Sequence, residues 1–156
     1  MRTVYKVLAY FVAIEVAVQA MAAVWAIAGL GKWVEGGGVV DKALMESEGM
    51  PFPEVAGFIV HGINGTFVIP GIALLLLITS FFARVRGAIK WAVIVFVLVV
   101  AQGQLGFLGH EITAVAALHG LNALALFGTA LYAARRMRTA APSKVSPPEE
   151  RVETPV

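Results

Sequence analysis

"VAGFIVHGINGTFVIPGIALLLLITSFFA" fills residues 55–83. No Asp, Glu, Lys or Arg interrupts it. A bilayer hydrocarbon core about 30 Å thick needs about 20 apolar residues in a helix. This stretch is long enough, and its one ionisable side chain is His61. Three further runs read the same way: Val4–Leu30, Ile89–Leu108 and Ile112–Ala134. Glu15, Lys90 and His119 bring ionisable groups into or against them. The chain has 156 residues and is 59% hydrophobic, against about 45–50% for a soluble domain. The expected fold is all-α: an integral-membrane four-helix bundle over residues 1–139. The proline-rich, charged residues 140–156 cannot bury enough surface to fold and are expected as a disordered cytoplasmic tail.

Charge placement sets the orientation. Arg2, Lys6, Arg84, Arg86, Lys90, Arg135, Arg136, Arg138, Lys144 and Arg151 fall at the start, the middle turn and the tail. Only Lys32 and Lys42 lie on the other side. The positive-inside rule then puts both termini in the cytoplasm. The basic excess is a topology signal, so no nucleic-acid partner is expected; the bilayer is the partner. A cleaved signal peptide was the other reading of the first run, with "AMA" at Ala20–Ala22 as the cleavage site. The run is long for one and Glu15 interrupts it, so it is kept as a helix. With no cysteine, disulfides, cysteine-ligated clusters and thioether-attached haem are excluded.

The connections follow from local chemistry. Residues 31–54 form the longest loop, in which "DKALMESEG" is expected to make a short helix with Asp41 as N-cap and Gly49 as stop. Pro70 lacks the N–H that would bond the carbonyl of Thr66, so a kink is expected there. Trp25, Trp33 and Trp91 read as interface anchors.

"VHGIN" (Val60–Asn64) returns as "LHGLN" (Leu118–Asn122). The first run carries "VAVQAMA" and the third "LVVAQGQ". This is a weak internal repeat of two helical hairpins. His61 lies seven residues beyond Glu54, and His119 eight beyond Glu111. At about 1.5 Å per residue both rings sit roughly 10–12 Å inward of the same boundary. Two imidazoles at one level suit the two faces of a haem iron. Gly62, Gly120 and Gly65 would let a porphyrin approach the backbone. Asn64 and Asn122, three residues after each His, would hold the rings or bond between helices. Outward-facing propionates would meet Lys32 and His110. A Zn or Cu site and purely structural histidines remain the other readings. Of Gln102 and Gln104, which point to different faces, one reaches the haem region. Glu15 is costly in a membrane. It reads as a proton or quinol site, or as a neutral interhelical hydrogen bond with Gln19 as partner.

The second to fourth of these runs resemble one four-helix half of the haem A synthase family, over about half the chain. The likeness rests on His61, His119 and a partial "QGxxG" match at Gln102-Gly103-Gln104-Leu105-Gly106. Nearly the whole chain is also similar to a group of small four-helix bacterial membrane proteins of unknown function, with "GLGKW" (residues 29–33) closing the first helix. These resemblances imply haem b ligated by His61 and His119, in a multi-pass protein of the bacterial cell membrane. The implied role is electron transfer with a quinol or a respiratory-chain complex. An accessory or assembly subunit without chemistry is the alternative, and a small transporter a third. A full haem A synthase has two such halves, so that activity would require a homodimer. Whether the chain is an enzyme is left open.

Overall fold

The computed structural model describes residues 1–46 and 49–137. The expected tail lies outside them. The described residues are helical, without strands. Four long helical segments result. They are α1 (Arg2–Glu35); α3 (Val55–Ile63) continued by a π-turn (Asn64–Val68) and α4 (Ile69–Ser80); α5 (Ala88–Glu111); and α6 (Thr113–Arg136). Each is long and apolar enough to cross a membrane.

α2 (Lys42–Met45) is one turn in the long loop. Asp41 Oδ1 accepts from Leu44 N at 2.8 Å, the expected N-cap. The helix stops at Met45, short of the expected Gly49. Gly109–Glu111, the residues between the runs Ile89–Leu108 and Ile112–Ala134, form the last turn of α5. Only Ile112, with extended backbone, separates it from α6.

Small residues let these helices meet closely. Ala9, Ala13, Ala73, Ala88, Ala92, Ala130, Ala133 and Ala134 are buried together with Tyr5, Val12, Leu76, Val95 and Leu126. Between membrane helices lipid removes most of the hydrophobic drive, so close backbone packing carries the association. The Tyr5 hydroxyl donates to Ala88 O at 3.1 Å, and Arg2 Nη2 to Arg84 O at 3.4 Å. The start of α1 and the α4–α5 turn therefore share one end, the basic end.

Packing is uneven along the bundle axis. The buried residues of α5 end at Val99, and those of α6 begin at Leu126. Toward the loop end, Val100–Glu111 and Thr113–Ala125 contain no buried residue. There α3 packs on α1 and on the π-turn, without substantial packing on α5 or α6. Gly57 makes the α1–α3 approach possible: a Cβ on it would stand 2.5 Å from Ala22 O.

The kink expected at Pro70 takes the form of the π-turn just before it. Ile69 N–H bonds Asn64 O, five residues back. One extra residue per turn is a common device at functional sites. Here it begins at the asparagine of "HGIN".

Candidate functional site

His61 and His119 meet between the helices that carry them. Their ring centroids are 6.2 Å apart and the ring planes lie 55° from parallel. Each ring is half-buried. Both are held in the same way. His61 Nδ1 lies 3.2 Å from Gln19 O, and His119 Nδ1 lies 3.1 Å from Gln102 O. A carbonyl oxygen only accepts, so both rings carry the proton on Nδ1. That tautomer leaves each Nε2 with a lone pair.

The two Nε2 atoms differ in partners. Gln102 Nε2 stands 3.0 Å from His119 Nε2. Asn122 Nδ2 donates to Gln102 Oε1 at 2.6 Å and to Leu98 O at 2.9 Å. The first of these bonds orients the Gln102 amide so that its N–H donates to His119. In the other hairpin Gln19 Nε2 donates to His61 O at 3.1 Å. No hydrogen bond engages His61 Nε2 among the described residues.

Asn64 and Asn122 both bond between helices, the second of the two roles expected of them, and neither touches a ring. The ring-holding groups are the backbone carbonyls of Gln19 and Gln102. Sequence reasoning missed this, although Gln19 and Gln102 occupy equivalent places in "VAVQ" and "VVAQ". The expected Glu15–Gln19 bond is replaced. Asn64 Nδ2 donates to Glu15 Oε2 at 2.9 Å.

The glycines divide. A Cβ at Gly62, Gly103 or Gly120 would meet open space. A Cβ at Gly65 would stand 2.9 Å from Gln19 Nε2, so Gly65 makes room for the glutamine rather than lining open space. Gly106, in the "QGxxG" match, faces the His119 ring: a Cβ there would stand 3.3 Å from it. Gln104 is exposed, as are Lys32 and His110 near the loop end. Trp33 meets Phe52 in a tilted ring contact with centroids 5.6 Å apart, and Trp91 meets Tyr132 likewise at 4.4 Å.

Do these residues fit a haem? Two metal–imidazole bonds of about 2 Å, plus the half-width of each ring, span roughly the observed separation. Both rings have the backbone anchor that metal-ligating histidines typically use. The helices bearing them do not pack on each other, and open space flanks Gly62 and Gly120. The donor set therefore fits, with one condition: the Gln102 amide has to turn away from His119 Nε2. No group of three or more His, Cys, Asp or Glu clusters among the described residues. A Zn site, which needs three or four protein ligands, finds less support.

Compared with protein-family models, curated proteins and solved structures, the chain has no match.

Proposed function

We propose that this chain is an integral-membrane b-type haem protein of the bacterial cell membrane, with both termini in the cytoplasm. His61 and His119 ligate one haem, and the protein exchanges electrons with a quinol or a respiratory-chain complex. The observation that carries the reading is the His61–His119 pair, 6.2 Å apart with both Nδ1 atoms on backbone carbonyls. The likeness to one half of the haem A synthase family supports the same ligand positions. When bound, haem supplies a reversible one-electron carrier.

The chain's own groups do the rest. Gln19 O and Gln102 O fix the tautomer that frees Nε2. The Gln102 amide guards His119 Nε2 until a stronger partner takes it. Gly62 and Gly120 keep bulk away from the helix surface after each histidine. Lys32 and His110, exposed near the loop end, are placed to meet propionates on that side.

A second reading rests on Gln102 holding both ring nitrogens of His119. That is how a purely structural histidine is satisfied, and it suits an accessory or assembly subunit. The visible spectrum of the purified protein decides between them. Six-coordinate low-spin bands that sharpen on reduction support the haem protein. A colourless protein from haem-replete cells sinks it.

A further inference from the structure

The two hairpins differ at one equivalent position. One turn before Gln19 stands Glu15; one turn before Gln102 stands Leu98. In the Leu98 hairpin the amides satisfy one another, since Asn122 donates to Gln102 Oε1 and Gln102 donates to His119. In the Glu15 hairpin they do not. Asn64 gives one N–H to Glu15, and Gln19 gives one to His61 O, so neither amide donates to the other's oxygen. Gln19 Oε1 and Asn64 Oδ1 are left buried without a donor among the described residues. The two side chains belong to residues only 9% and 7% exposed.

The Glu15 carboxyl adds further acceptor oxygens. The first hairpin thus gathers three side-chain oxygen groups, two of them buried and without a donor among the described residues. A buried acceptor without a donor costs about 1–3 kcal/mol. The cluster calls for a ligand that donates.

Depth narrows the ligand. Glu15 lies thirteen residues into α1 from Arg2, about 20 Å along the helix. Phospholipid hydroxyls belong to the interface and sit shallower. Glu15 is half-buried, and Phe11, one turn before it on the same helix face, is exposed. An aromatic ring arriving from lipid can lie on Phe11 with its hydroxyl toward the carboxylate. We propose that Glu15, Gln19 and Asn64 form a binding site for the hydroxyls of a membrane-borne hydroquinone. The site goes beyond the haem reading and does not require haem. Binding alone is proposed, and its signature is selectivity for the reduced, hydroxyl-bearing form over one that only accepts.

The test uses the full chain in lipid nanodiscs under dithionite. Equilibrium dialysis compares 2-decylhydroquinone with its dimethyl ether, both stable under these conditions. The wild-type chain should hold the hydroquinone about tenfold more tightly, the worth of one hydrogen bond. Glu15→Gln supplies an amide N–H and should bring the ratio toward one; Asn64→Leu should do the same. The proposal is overturned by a wild-type ratio near one, which would mean that the acceptors hold water only. It is equally overturned if both variants keep the wild-type ratio. The wild-type comparison needs no variant to fold. The absorption spectrum of the same sample reports haem separately, so loss of one reading leaves the other standing.

Discussion

Gln19 and His61 grip each other by their backbones. The ring Nδ1 of His61 donates to Gln19 O at 3.2 Å, and the side-chain amide of Gln19 donates back to His61 O at 3.1 Å. Gln102 repeats the first of these contacts on His119, at 3.1 Å. The weak repeat in the sequence is therefore a repeat of geometry: one Gln carbonyl, one imidazole and one Asn per hairpin.

Removal of either imidazole tests the pair. If the pair ligates haem as proposed, His61→Ala or His119→Ala would leave the iron with a single protein ligand. Low-spin bands should disappear or the haem should be lost, as read by absorption spectroscopy. His110→Ala should keep low-spin ligation, because His110 sits in the last turn of α5 and is exposed. Wild-type spectra in both single variants would remove the pair as ligands.

Gln102→Leu separates guarding from packing. The substitution deletes the amide that caps His119 Nε2. Asn122 keeps its bond to Leu98 O, but the bonds of Gln102 to His119 and from Asn122 are both lost, so the stability loss should be about 1–3 kcal/mol. Haem uptake by the haem-free protein, followed by stopped-flow absorbance, should become faster. An unchanged rate would show that Gln102 guards nothing.

The two close glycine contacts should rank in a definite order. Gly57→Ala drives a Cβ against the Ala22 carbonyl, which is backbone and cannot yield. Overpacking of this kind costs about 1–3 kcal/mol. Gly65→Ala meets the end of the Gln19 side chain, which can swing aside. Its cost should be the lost hydrogen bond to His61, about 1 kcal/mol. Unfolding titrations in mixed detergent micelles would show the order, and a reversed order would contradict the α1–α3 packing.

Orientation is open to reporter fusion. A periplasm-dependent phosphatase fused after Met137 should be inactive, and one fused after Gly37 active. The opposite pattern would reject the cytoplasmic assignment of the basic end.

The helices were legible in the sequence because lipid imposes a simple rule, and runs such as Val55–Ala83 obey it. Asp41 as N-cap was legible for the same reason: a side-chain oxygen meets an orphan N–H three residues on. The histidine pair was legible from depth alone. The carbonyl grip by Gln19 and Gln102 was not, because which backbone oxygen faces a ring depends on how two helices cross. Which of its two expected roles Asn64 takes was not legible for a related reason. Its partner, Glu15, is distant in sequence and reached only through the α1–α3 approach that Gly57 allows.

The π-turn at Asn64–Val68 means that the second crossing is read in two frames. One supernumerary residue rotates everything beyond it by about 100° relative to an unbroken helix. The faces of α3 and α4 are set independently, so the histidine half can be aimed at its site without disturbing how Ile69, Ala73 and Leu76 fill the core. α6 carries His-Gly-Leu-Asn where the second crossing has His-Gly-Ile-Asn, and no such insertion. Deleting a single residue between Gly65 and Val68 would merge the two frames. It would turn the polar cluster toward lipid, or else the alanine seam, and a chain one residue shorter would have to choose which.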